Sequence, residues 1–343
     1  MEKKNLSNMV LRYFIGFKDT EERFQMLVDF LKRSGIRRVI LFSATFTENS
    51  SILPEVYYKN HVELLRPYVE KLKDMGVETG INMMHTNGHC FYADEEEFGF
   101  RRAVTIEGEN SEGSVCLLDK AFTEHIKRAY KYYASLNPSV IFADDDVRMI
   151  SLGQFICLCP EHIKAISQRV GRDLEVNEIR QAVISDTFGE NPIRDAFFEQ
   201  LTDDIDLILA QIADSVHEVS PKTEIGIMTT SYPTVTADRD LSNFFKKMKD
   251  SKSISRIRTG MDYYREGDYN SIPSTFSHPM IQRDFIDDPT IEIQPEIEND
   301  TYGFYYKSNS ITGMQLVWCL TNGFRNMQLN LFNWESLFLI MMK

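Results

Sequence analysis

Residues 11–35 read "LRYFIGFKDTEERFQMLVDFLKRSG". The first seven are almost wholly apolar and aromatic, which suits a buried strand. Asp19 and Glu22 stand at the spacing of a capping box. Phe24, Leu27, Val28 and Leu31 then fall at i, i+3, i+4 and i+7, an apolar stripe on one helix face. Gly35 sits where a glycine closes a helix. The stretch is one strand followed by one helix.

That unit recurs along the chain. Further strand-like runs lie at 38–44, 77–84, 139–144, 224–230, 254–260, 290–296 and 326–332. Helical periodicity returns between them, as at 119–135 with Phe122, Ile126, Ala129 and Tyr133, and again at 196–216. Eight strand–helix repeats predict an α/β fold, a (β/α)8 barrel occupying 1–343 as one domain. A doubly wound sheet is the competitor, but "GFKDTEER" after the first strand is no glycine-rich phosphate loop. Residues 147–222 are too many for one connection and predict an excursion of two or three helices after the fourth strand. The chain stops eleven residues past the eighth run. This predicts a barrel truncated or poorly closed after that strand, with no downstream domain.

Composition narrows the function classes. The net charge is −13 and no run of Lys or Arg exceeds two residues, so neither nucleic acid nor an anionic membrane is an expected partner. The start, "MEKKNLSNMV", lacks the apolar core of a signal peptide, and no apolar run reaches the ~20 residues of a membrane span. Five cysteines, an odd number in a long chain, argue against a disulfide framework. A cytoplasmic protein is expected, with a homo-oligomer left open.

Chemistry in such barrels gathers at the C-terminal ends of the strands. The third run ends in His85 and His89, the fourth in Asp144, Asp145 and Asp146 with Arg148 beyond, the sixth leads to Asp262 and Tyr263, and the eighth to Asn330 and Trp334. The seventh holds "EIQPEIEN". Alternation puts Ile291, Ile293, Pro295 and Ile297 on one face and Glu292, Gln294, Glu296 and Glu298 on the other. Inward glutamates are costly unless partnered or used. Glu292, at the bottom, reads as structural; Glu296 and Glu298, at the top, read as functional. Parity gives Asp144 and Asp146 one face and Asp145 the other, if the strand runs that far. Carboxyls after strand four and at the end of strand seven are the arrangement of a retaining glycosidase.

The stretch from Cys116, through "VIFADDDVRM" and "CLCPEH", to about residue 185 resembles the middle of glycoside hydrolase family 42, the β-galactosidases. Family 164 β-mannosidases share the architecture and are equally close in pattern. The resemblance implies a retaining, exo-acting β-glycosidase that cleaves terminal β-linked sugars and needs no catalytic cofactor. It puts the acid/base, a glutamate in the family, at Asp146, one methylene shorter. Asp145 and the more distant Glu161 are the substitutes. The nucleophile falls on Glu298 or Glu296, with Glu298 the more distal. Trp334 resembles a sugar-stacking platform, or else covers the barrel edge. Asn330, His89, Tyr263 and Arg148 complete the expected substrate contacts.

The family's CxCxxC motif with one upstream cysteine binds a structural zinc. Here that implies Cys116, Cys157, Cys159 and His162, a Cys3His set, against the alternative of unrelated buried thiols. In "HTNGH", Asn87 and Gly88 favour a turn over the helix that two histidines four apart would need as ligands. Two other functions stay open. One is a Mg²⁺- or Mn²⁺-dependent aldolase or isomerase using Asp144, Asp145, Asp146 and Glu296. The other is an inactive sugar-binding remnant.

Overall fold

The computed structural model describes residues 8–16, 21–43, 52–87, 99–151, 154–185, 189–230, 242, 244, 246, 254–261, 263–286, 288–299 and 306–332. Eight parallel strands close into a barrel: β1 (Met9–Phe14), β2 (Arg38–Phe42), β3 (Glu78–Met83), β6 (Val140–Ala143), β9 (Glu224–Thr229), β10 (Arg256–Thr259), β11 (Glu292–Glu298) and β12 (Met327–Asn330). Each lies within, or two residues from, a run predicted from sequence. The expected weakness at the end of the barrel is not found. β12 pairs with β1 in register, Met9 opposite Met327 and Leu11 opposite Leu329, so the sheet has no edge.

Helices cover the outside. α1 (Glu21–Ser34) buries Phe24, Leu27, Val28 and Leu31, the stripe read from its sequence. α2 (Glu55–Asp74) follows β2. α3 (Lys120–Ala134) is capped by Asp119, whose side chain accepts from the Phe122 N–H. Between β3 and α3 stands a hairpin, β4 (Arg102–Val104) with β5 (Asn110–Val115), which periodicity did not reveal. Between β6 and β9 come a short hairpin, β7 (Ile150–Ser151) with β8 (Gln154–Phe155), and three helices. These are α4 (Pro160–Val170), α5 (Val176–Ile184) and α6 (Pro192–Val219). α7 (Ile272–Asp284) follows β10, and α8 (Asn309–Thr321) follows β11.

Strand alternation sorts the barrel interior into layers. At the bottom, Arg38 pairs with Glu292 at 2.7 Å and Glu78 at 3.5 Å, while Arg256 pairs with Glu78 at 2.7 Å and Glu224 at 2.6 Å. Above it Val10, Ile40, Val140, Phe142 and Met228 form an apolar plug separate from the main core. Two glycines make room for this plug. A Cβ on Gly226 would stand 2.4 Å from the Phe142 ring, and one on Gly80 would stand 2.6 Å from Ile40 and Val140. Above the plug lies a second polar layer at the barrel mouth.

The plug leaves no slack for an added methyl. Gly226→Ala should lower stability by about 1–3 kcal/mol, the usual cost of overpacking. Urea denaturation checks this, and an unchanged midpoint would mean that the Phe142 ring can yield.

Candidate active site and metal cluster

Two arginines organise the mouth. Arg12 of β1 and Arg258 of β10 are 4% and 3% exposed. Arg12 Nη1 lies 3.3 Å from Glu296 Oε1, and its Nη2 3.5 Å from Asp144 Oδ2. Its Nε donates to Asn82 Oδ1 at 2.9 Å, and Asn82 in turn donates to Asp144 at 3.0 Å. Arg258 reaches Glu296 Oε2 at 3.1 Å, Asp144 Oδ1 at 3.2 Å and Asp145 Oδ2 at 3.5 Å. The guanidinium of Arg12 also lies over the Phe42 ring, 4.5 Å from its centre. Two cations thus bind two deeply buried carboxylates, Asp144 and Glu296, from both sides.

Glu298 stands one inward position higher, at the end of β11, with its side chain 14% exposed. Its nearest cation is Arg12 at 4.0 Å, and the Asn330 amide donates to it. Burial, then the charge of Glu296, pushes its carboxyl up to about 8. Burial also pushes Glu296 up, against the pull of Arg258 and Arg12. Lys307 donates to the backbone oxygens of Glu298 at 2.7 Å and Tyr263 at 2.9 Å, and burial holds its ammonium down to about 8.

The three aspartates part company. β6 ends at Ala143, and Asp145 and Asp146 form a turn. Asp144 faces the arginines. Asp145 is the open one, its side chain 24% exposed, between Arg258 and Arg148 at 3.8 Å. Asp146 is 1% exposed and accepts from the backbone N–H groups of Thr86 at 2.6 Å and Asn87 at 2.8 Å. Its carboxylate holds the loop after β3. The strand ends before the three aspartates, so alternation does not sort them, and it is Asp145 that meets solvent.

Of the other expected residues, Asn330 and Arg148 lie beside these carboxyls. Tyr263 is a buried wall residue, 1% exposed and edge-on to Phe276. Glu161 pairs with Arg101 on the first turn of α4. Trp334, His89 and Asp262 lie outside the described residues. Sequence reasoning missed Arg12, Arg258 and Asn82 as site residues. The available signal was a charged residue at an inward position of an apolar strand, in "VLRYF" and in "ISRIRTG".

A second constellation lies beside the mouth. Cys116, after β5, meets Cys157 and Cys159, after β8, and His162 of α4. All four are buried, and their ligand atoms lie within 4.8 Å of one another. Cys116 Sγ is 3.7 Å from Cys159 Sγ, and Cys159 Sγ is 3.1 Å from His162 Nδ1. Ligand sulfurs about 2.3 Å from a tetrahedral zinc would stand about 3.8 Å apart, so the donor set fits such a metal. His162 Nε2 binds Asp204 Oδ2 of α6 at 2.8 Å, and Gln200 donates to the other oxygen of Asp204 at 2.8 Å. A carboxylate behind a ligand histidine fixes its ring and tautomer.

No family model matches the chain, and no curated protein matches it by sequence. Solved structures do. The β-galactosidase of Marinomonas ef1 superposes with a TM-score of 0.65 at 10% identity, covering 95% of this chain and 54% of that one. The catalytic domain of the Paenibacillus polymyxa β-amylase gives 0.60 at 10% identity, covering 94% and 92%. The PgaB (BpsB) glycoside hydrolase domain of Bordetella bronchiseptica gives 0.61 at 11%, covering 94% and 93%. The chain spans about half the length of the β-galactosidase. At these identities the likeness is one of fold: this protein has the (β/α)8 barrel found in β-galactosidases and other glycoside hydrolases.

Proposed function

We propose that this protein is a retaining, exo-acting β-glycosidase that uses Glu298 and Asp145 as its carboxyl pair. The observation that carries this reading is the charge balance at the mouth. Arg12 and Arg258 bind Asp144 and Glu296 most closely, while Glu298 and Asp145, with side chains 14% and 24% exposed, are the carboxyls open to a bound sugar. Retaining hydrolysis needs such a pair sharing one proton. The barrel likeness to glycoside hydrolases supports a carbohydrate substrate, and the terminal β-linked sugar is part of the proposal.

In this reading Glu298 attacks the anomeric carbon, with the Asn330 amide and the Arg12 charge favouring its ionised form. Asp145 replaces Asp146 as the acid that protonates the leaving oxygen, and later as the base that activates water. Arg258 and Arg148 orient it. Asn330, which donates to Glu298, and Arg148, 3.8 Å from Asp145, are assigned to sugar hydroxyls. Those arginine pairings also speak against an aldolase or isomerase built on Mg²⁺, because guanidinium groups already engage the oxygens of Asp144 and Glu296 that such an ion would need. The Cys3His cluster is assigned to a structural zinc, held by Cys116, Cys157, Cys159 and His162. When bound, it would lock the excursion after β6 to the β4–β5 hairpin.

A panel of nitrophenyl β-glycosides tests the activity. Glu298→Gln and Asp145→Asn should each lose at least 100-fold in kcat, within the ~10²–10⁴-fold range of general acid–base catalysis. Azide should restore turnover to Glu298→Gly with inverted product. Binding of sugars with no turnover by the unaltered protein would leave the remnant reading in place of this one.

The shared proton sets a pH dependence. The free enzyme needs one proton on the pair; burial and the charge of Glu296 raise the Glu298 carboxyl to about 8, and in the productive form that proton sits on Asp145, which leaves Glu298 ionised to attack. The ratio kcat/KM should therefore fall as pH rises through about 8, where the pair loses that proton. A plateau extending to pH 10 would exclude the pair.

Metal analysis of the purified protein should find one zinc per chain, reduced in Cys157→Ser. No zinc above background would sink the assignment.

A further inference from the structure

The metal cluster and the Asp144–Asp146 turn are joined by two short routes. On one side, Cys116 follows Val115, whose N–H donates to Asn87 Oδ1 at 3.2 Å. The backbone N–H of Asn87 donates to Asp146 Oδ2 at 2.8 Å, and that of Thr86 does so at 2.6 Å. On the other side, Cys157 follows Ile156, whose N–H donates to the Met149 carbonyl at 3.0 Å. Met149 lies three residues beyond Asp146. The Val104 N–H also donates to Cys157 Sγ at 3.1 Å, and the Leu158 N–H to the Val104 carbonyl at 2.8 Å, so the hairpin strand β4 is bound to the same loop.

We infer that Asn87 is a positioning residue that couples the Cys116–Cys157–Cys159–His162 cluster to the turn carrying Asp145. The inference rests on the reading of Asp145 as acid/base for its catalytic consequence, but not for the coupling itself. Asn87 is 1% exposed and uses both its backbone and its side chain as the link. Its amide oxygen holds the residue before Cys116, and its N–H holds Asp146. A shift in the ligand loop therefore reaches the acid through one side chain and one turn. The opposite wall of the loop is fixed independently. Thr86 Oγ1 lies 2.9 Å from the Tyr130 hydroxyl, and the Tyr58 hydroxyl donates to the His85 carbonyl at 3.1 Å. The Val115–Asn87 bond is thus the side of the loop that depends on the cluster. Coupling of this kind needs a contiguous set of contacts and a test that perturbs it at one point.

Hydrogen exchange of the full chain provides that test without any substrate. In the zinc-loaded protein, the amides of Thr86 and Asn87 should exchange slowly. Removing zinc with EDTA should speed both at least tenfold, while β12 changes less than twofold. Asn87→Ala should speed the Thr86 amide at least tenfold with zinc still bound at the wild-type level. Should EDTA unfold the whole chain, the zinc-loaded variant decides alone. If the protein is purified without metal, zinc titration should slow the same two amides. Rates within twofold of the reference in the deciding arm overturn the coupling. The kinetic arm separates this idea from the glycosidase reading. If glycosides are hydrolysed, Asn87→Ala should lower kcat about tenfold with KM within twofold. A protein that hydrolyses none fails the catalytic reading, yet its exchange data still support or overturn the coupling.

Discussion

Buried charge is the constraint on which this barrel depends. Arg12 and Arg258 bring two guanidinium groups to 4% and 3% exposure inside a ring of eight strands. Taking such ions out of water costs several kcal/mol each unless opposite charge and hydrogen bonds compensate. Asp144 and Glu296 do so from both sides, and Asn82 bridges Arg12 to Asp144. Removing one partner would strand the others, so the five side chains form a unit. The arrangement also explains why no single strand could carry it: its members come from β1, β3, β10, β11 and the end of β6.

That unit sits above an apolar plug and a second ring of charge. The lower ring, Arg38, Glu78, Glu224, Arg256 and Glu292, closes the bottom of the barrel. The plug keeps the two rings apart and depends on the missing side chains of Gly80 and Gly226. Because the upper ring is already balanced, a further carboxyl placed on it shares Arg12 only at 4.0 Å and stands beside the charge of Glu296. Glu298 is that carboxyl. Its raised affinity for a proton follows from its place in the stack and from no special chemistry of its own.

Period-two alternation made much of this legible. "EIQPEIEN" alone marks which glutamates face inward, because every second residue must. The eight strands and the α1 stripe were legible for the same reason, since periodicity is a local property. Partners were not. Glu296 and Arg12 are 284 residues apart, and nothing local to either names the other. The aspartate run was not legible in this way. The strand ends at Ala143, and the turn that follows decides which carboxyl meets solvent. Asp146, the expected acid, is instead bound by two backbone N–H groups. The ligand cysteines were visible through resemblance, whereas Asp204, which orients His162, lies 42 residues downstream on another helix.

The Cys116–Cys157–Cys159–His162 cluster is joined to the aspartate turn through Asn87. The connection from β6 to β9 is much longer than a barrel needs, and it begins with the aspartate turn. A long connection brings its own conformational freedom to the turn where it starts unless something pins it. Main-chain hydrogen bonds from two-stranded hairpins, with strands of two to six residues, are a weak pin. Four buried donors converging from β5, the segment after β8 and α4 are a strong one, and Asp204 ties them to α6. The cluster therefore lies at the start of the long connection, where the strands alone hold the fold least.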